Sequence, residues 1–357
     1  MIMTEMLEIL RHIPKVELHC HLECAVQFTT LLDEHRRQGI PLPFTAEADL
    51  REYFLIEEPV DDFQRYLLAI ERHQVIFGDV SAISRVAEET VISKAADNVK
   101  LFELRYSPTY MSRQTKGRLS QSTIHEAVKA GVTRGVAAAL NNNQDIHVFL
   151  ICCDHVIFKH SPWDADGFKD SVNFALHHRA DFVGFDVACT EADMNPCSPF
   201  LDRLKDAGLG ITVHAESDME PEKIRFLVDR LHATRVGHGL HVPEDSAIFA
   251  YLKDKRIHME EAPTANVRSG EVENLQNHPI QRYIQGGFSV SINSDDPGIL
   301  DHTLTDEYHV LHHTFGYDMA TFLKINLLAL HSSFAAEDVK QKLLDLYFVR
   351  NLKTSVS

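Results

Sequence analysis

Lys15-Val16-Glu17-Leu18-His19-Cys20-His21-Leu22-Glu23 sorts into two sets when read at period two. Val16, Leu18, Cys20 and Leu22 fall on one side, and Glu17, His19, His21 and Glu23 on the other. A β-strand sends alternate side chains to opposite faces, so this pattern predicts a strand presenting both histidines and both glutamates in one direction. Two neutral imidazoles at i and i+2 can grip one metal ion. A short His-x-His is equally at home as a polar strand face with hydrogen-bonded histidines, so the rest of the chain has to decide.

Outward from that stretch, strand and helix signals alternate. Further strands are expected at 100–108, 147–153, 182–188, 210–215, 234–239, 257–263 and 288–297. Helical spacing falls at 28–38, 61–77, 80–98, 124–140, 166–178, 199–207, 220–231, 244–254 and 279–285, then at 321–330 and 336–349. The helix at 61–77 has Phe63, Tyr66, Leu67 and Ile70 on one side, a face expected to pack into the core rather than wall a pocket. Eight strands separated by helices, without strand doublets or a linker, define an α/β chain forming a single (β/α)8 TIM barrel. Extra helices follow the first strand and close the C-terminus, and one domain is expected to span residues 1–357. A doubly wound two-domain fold would need a glycine-rich turn after its first strand, and none is present.

Composition narrows the function classes. The 357 residues are 44% hydrophobic and 24% charged, the make-up of a globular protein with a sizeable core. A net charge of −17 without a Lys or Arg run argues against nucleic acid as a partner and leaves small molecules open. No apolar run reaches the roughly 18 residues of a membrane span, and Met1 to Leu10 does not read as a signal peptide. Six cysteines in so long a chain, two of them adjacent at Cys152-Cys153, fit reduced thiols and a cytoplasmic location. Oligomeric state is not legible.

The polar outliers collect at strand ends, where such barrels place their active sites. They are His19, His21 and Glu23 on the first strand, His214 on the fifth, His238 on the sixth, and Asp295 and Asp296 on the eighth. The eighth strand repeats the parity of the first, with Ser289, Ser291, Asn293 and Asp295 expected inward. Three imidazoles and a carboxylate suit Zn²⁺ or a similar divalent ion with a position left for water, whose pKa such an ion lowers to about 7. His238 would orient that hydroxide or act on its proton, and Asp296 could hydrogen-bond a ring nitrogen of a substrate.

At these residues the chain resembles the adenosine deaminase family of metal-dependent amidohydrolases, from about Pro14 to Leu346. The likeness is carried by Pro14 to Glu23, Arg105-Tyr106-Ser107-Pro108, His214-Ala215, Gly237-His238-Gly239 and Ser291-Ile292-Asn293-Ser294-Asp295-Asp296-Pro297. The resemblance implies one zinc ion per chain, held by His19, His21, His214 and Asp295, and a purine or related amino-heterocycle as substrate. It implies hydrolytic deamination, in which metal-bound hydroxide attacks C6 and ammonia leaves. His238 and Asp295 are then catalytic, while Glu23, Asp296 and the backbone N–H of Cys189 face the substrate.

The pattern breaks at four places. The family has His-Ala-Gly-Glu after its fifth strand, where Glu protonates purine N1; here the chain reads His214-Ala215-Glu216-Ser217. Serine has no useful acidity at pH 7, and general acid catalysis is typically worth 10²–10⁴-fold. Glu216 is therefore the candidate replacement acid, against the alternatives of another metal-assisted hydrolysis or a purine-binding homologue with impaired catalysis. Cys24 and Cys189 stand where the family has glycine, and are expected to be small buried thiols. Ala262-Pro263 replaces a more usual Cys-Pro, expected to be neutral packing.

Overall fold

The computed structural model describes residues 2–155, 165–188, 198–215 and 219–349. Eight strands form the centre: β1 (Lys15–His21), β2 (Val99–Tyr106), β3 (His147–His155), β4 (Phe182–Ala188), β5 (Gly210–Ala215), β6 (Arg235–His238), β7 (His258–Glu261) and β8 (Ser289–Ile292). Each pairs in parallel with the next, in the order β1 to β8, with helices between them. This is the expected (β/α)8 barrel. No described helix is long and apolar enough to cross a membrane.

The seam between β8 and β1 is closed partly by side chains. At its upper end the His21 amide donates to the Asp295 carbonyl (2.9 Å), and the Asp295 amide to the His19 carbonyl (3.1 Å). Lower down, the Leu18 amide donates to Asn293 Oδ1 (3.0 Å) and the Val16 amide to Asn326 Oδ1 (2.7 Å). Buried backbone donors need partners, and two asparagines supply what a longer β8 would have supplied. The eighth strand accordingly ends at Ile292 instead of running to 297.

Strict alternation along β1 does not hold. Glu17 lies opposite Phe102 and Cys20 opposite Leu104, so three steps on β1 span two on β2. Such a bulge reverses the facing of everything before it. Glu17 therefore does not share the histidines' direction: its carboxylate accepts from Lys94 Nζ (3.0 Å) and from the Ser294 amide (2.9 Å).

The expected helix at 61–77 is an α-helix at Phe63–Gln74 that tightens into a 3₁₀ turn at Val75–Gly78. Its N-terminus is capped by Asp62, whose side chain accepts from the Gln64 amide (2.9 Å). Helices at Ile2–His12, Glu47–Phe54 and Leu304–Phe315 were not expected. The last carries a signal that sequence reading should have used, a capping box between Thr303 and Asp306.

The N-terminal end of the barrel is plugged by Phe334, just beyond the helix Met319–Ser332. A Cβ at Gly184 or Gly210 would come within 2.4 or 2.2 Å of its ring, so both strands need glycine there. The Arg235 guanidinium stacks on that ring (3.7 Å to the centroid) and donates to Glu103 Oε2 (2.6 Å).

Candidate active site

At the opposite end, β1, β5, β6 and the segment after β8 deliver their polar residues to one point. His19 Nε2 lies 3.2 Å from Asp295 Oδ1, and His21 Nε2 lies 3.6 Å from the same oxygen. His21 Nε2 and His214 Nε2 are 3.2 Å apart. His238 Nε2 stands slightly back, 3.9 Å from Asp295 Oδ2. All five side chains are buried. His238 and Asp295 both adopt left-handed backbone conformations (φ 64° and 59°), uncommon for residues with a Cβ and typical of functional sites.

Ligands held at roughly 2.0–2.2 Å around one small divalent cation in tetrahedral geometry are about 3.3–3.6 Å from one another. The three separations among His19, His21, His214 and Asp295 match that spacing. Nitrogen lone pairs facing each other at 3.2 Å repel unless a proton or a cation lies between them, so the donor set fits a metal ion.

Three residues that sequence reading did not assign to the site hold the histidines in place. His19 Nδ1 donates to Glu260 Oε2 (2.8 Å), and His214 Nδ1 to Asp186 Oδ1 (3.1 Å). Arg105 spans the two carboxylates, with Nη1 on Asp186 Oδ2 (2.9 Å) and Nη2 on Glu260 Oε2 (2.7 Å). Thr212 and Cys153 add donors to Glu260 and Asp186. Only Asp186 carried a local signal, as the single charged residue of the otherwise apolar strand β4; Arg105 and Glu260 sit among other charged residues in β2 and β7.

Backing carboxylates fix each ring with its Nδ1 proton rearward and its Nε2 lone pair forward. Burial disfavours charge on Glu260, but Arg105 and Arg235 outweigh it and hold its pKa well below the carboxylate range. Burial and Arg105 oppose a charge on His19, yet Asp295 and Glu260 raise its pKa to about 9, so a cation bound at its Nε2 would displace a proton there. Burial lowers that of His214 to about 4, keeping it neutral.

Above this point opens a pocket lined by His21, Glu23, Tyr66, Asn266, Glu271 and Asp296. Phe63, Tyr66, Leu67 and Ile70 form one wall, so the face expected to serve the core also lines a pocket. Asp296 lies at its base. The Tyr66 hydroxyl donates to Asp296 Oδ2 (2.7 Å), while burial and the neighbouring Asp295 raise the pKa of Asp296 to about 7. Glu23 lies on the cavity lining, with its Oε1 accepting from the Ser107 amide (2.7 Å). Cys24 is a buried thiol on the same lining, and burial pushes its pKa well up. Ala262 is buried packing. Glu216, Ser217 and Cys189 lie outside the described residues.

A second cluster, His125, His178 and Asp181, also has metal-ligand spacing. Both ring nitrogens of His125 are already engaged, by the Tyr106 hydroxyl (2.5 Å) and by Asp181 (3.0 Å), so this cluster reads as a structural network.

The class defined by fold and site is a (β/α)8 barrel with a buried cluster of metal-ligating side chains beneath a pocket at its C-terminal mouth, and comparison with known proteins places it. The family model for adenosine deaminase matches residues 14–348. Adenosine deaminase from Plasmodium falciparum is 32% identical over 347 residues, covering 96% of this chain and 92% of that protein. Adenosine deaminase from Danio rerio is 30% identical over 368 residues, covering 96% and 97%. Among solved structures, adenine deaminase from Arthrobacter aurescens shares the fold with a TM-score of 0.81 at 23% identity, over 95% of this chain and 99% of that one. N6-methyl-AMP deaminase from Arabidopsis thaliana does so with a TM-score of 0.81 at 22% identity, over 96% and 98%. The chain belongs to the adenosine deaminase family. It is a hydrolase acting on C–N bonds of cyclic amidines, in a metal-dependent family, with His and Asp groups placed to hold an ion.

Proposed function

We propose that this chain is a zinc-dependent deaminase that hydrolyses the exocyclic amino group from C6 of adenosine or a related aminopurine. The observation that carries the proposal is the convergence of His19, His21, His214 and Asp295 at metal-ligand spacing beneath a cavity, in a member of this family. Those four residues hold one ion. When bound, it supplies Lewis-acid activation of water at neutral pH.

The protein's own groups do the rest. Asp296, steadied by Tyr66, hydrogen-bonds a purine ring nitrogen. Glu23, anchored on the Ser107 amide, meets the outer part of the substrate, and the backbone N–H of Cys189 offers a further donor. Phe63, Leu67 and Ile70 cover the reacting centre and exclude water. His238 is placed beside the reacting oxygen. Among the described lining residues there is no Lys or Arg, which favours a base or nucleoside over a nucleotide. This distinguishes the reading from the related structures solved with IMP and with GMP. Buried, unpaired Cys20, Cys24, Cys152 and Cys153 support a reducing, cytoplasmic setting. The whole chain, residues 1–357, acts as one hydrolase domain.

Ser217 at the family's acid position favours a second reading, a purine-binding homologue with impaired turnover. Ammonia release from adenosine, adenine and related purines, with and without a zinc chelator, separates the two. Chelator-sensitive release is expected; its absence on every purine overturns the deaminase. Ser217→Glu combined with Glu216→Gly is expected to raise adenosine deamination by roughly 10²–10⁴-fold, and an unchanged rate removes the acid from this account.

A further inference from the structure

Three histidines of the site have a partner behind the ring, and the partners differ in kind. His19 and His214 are backed by carboxylates, which can only accept. His238 Nδ1 instead faces the side-chain nitrogen of Asn266 at 3.1 Å. Which way that amide points decides what His238 shows to the site.

The polarity is set from two sides. The backbone amide of Ile280 can only donate, and it donates to His278 Nδ1 (3.2 Å). His278 must then carry its proton on Nε2, which donates to Asn266 Oδ1 (3.1 Å). Independently, the other end of the Asn266 amide lies 3.3 Å from Glu271 Oε2, a carboxylate that accepts and so requires nitrogen there. Both anchors give the same orientation: Asn266 Nδ2 donates to His238 Nδ1. A neutral imidazole that accepts at Nδ1 carries its proton on Nε2. His238, Asn266 and His278 are all buried, so no bulk water competes for these positions.

We propose that Asn266 and His278 are positioning residues that lock His238 as the Nε2–H tautomer, keeping it out of the metal's ligand set and presenting a hydrogen-bond donor to the reacting oxygen. By distance alone, His238 groups with His19 and His214 as a possible ligand. The atom behind each ring separates them: a carboxylate frees Nε2 to bind metal, whereas an amide N–H puts a proton there. The catalytic consequence rests on the deaminase reading above; the tautomer does not.

The test is ring ¹⁵N NMR on the full-length, zinc-loaded protein, with the His238 signals identified by their loss in His238→Gln. Wild type is expected to show a protonated Nε2 and an unprotonated Nδ1 at His238; the reverse overturns the relay. Asn266→Asp preserves the shape and replaces the donor by an acceptor. It is expected to bring a proton to Nδ1 and to lower kcat by about 10²-fold or more while KM moves less than about threefold, since a wrong tautomer impairs chemistry more than binding. An Asn266→Asp protein with Nδ1 still unprotonated, or with kcat within about twofold of wild type, overturns the proposal. Should that variant not fold, the wild-type spectrum decides alone. A wild type that turns over no purine overturns the deaminase reading and leaves the ring-nitrogen measurement to judge the relay.

Discussion

At the N-terminal end of the barrel, the Arg235 guanidinium sits between Glu103 and Glu260, with the Phe334 ring stacked on it. The Phe334 amide closes the remaining oxygen of Glu103. Both charges and the apolar area are matched there by the protein's own groups, with Arg235 Nη2 left without a hydrogen bond among the described residues. At the C-terminal end, His19 and His21 bring their Nε2 atoms to 3.2 and 3.6 Å from Asp295 Oδ1, His21 and His214 face each other at 3.2 Å, and burial keeps water from separating them. Glu260 lies between the two ends and belongs to both networks, pairing with Arg105 on one side and Arg235 on the other. Polar groups that satisfy each other stabilise a fold; groups that converge on a common point are arranged for something that binds there.

The comparison is sharpened by variants at each end. The largest effect is expected at the ligands. His214→Ala should lose the metal, seen by atomic absorption, and lower turnover by about 10³-fold or more, since an activating ion contributes several kcal/mol at the transition state. Next comes the residue behind it. Asp186→Asn should weaken metal affinity by about 10–100-fold in a chelator competition, because the carboxylate that fixes the ring and its tautomer is gone.

The smallest effect on activity is expected at the other end. Phe334→Ala should cost about 2–3 kcal/mol in urea unfolding, from lost packing on a partly exposed ring, while leaving kcat within about twofold under folding conditions. A Phe334→Ala protein that is folded but inactive would break the division between a stabilising end and a reacting one.

The eight strands and the helices between them were legible because a barrel strand is short, apolar and bounded by turn signals. The helix Leu304–Phe315 was missed although its capping box was there to be read. The metal-ligand candidates were legible because histidine and aspartate at strand ends are chemically conspicuous. The facing of Glu17 was not. A bulge depends on how β1 meets β2, and no period-two count within β1 can show it.

The roles of Glu260, Asp186 and Asn266 were hidden for a related reason. Each is an ordinary polar residue in its own segment and acquires its role only beside a histidine from another strand. Local sequence determined which elements form and which residues have the chemistry to bind a metal, because propensity, periodicity and ligand type are properties of short stretches. Tertiary structure decided which of those residues meet, which ring nitrogen each histidine turns forward, and that the face of Phe63–Gln74 walls a cavity. Those follow from closing the barrel, which brings segments far apart in the chain within hydrogen-bonding distance and removes the water that would otherwise satisfy them.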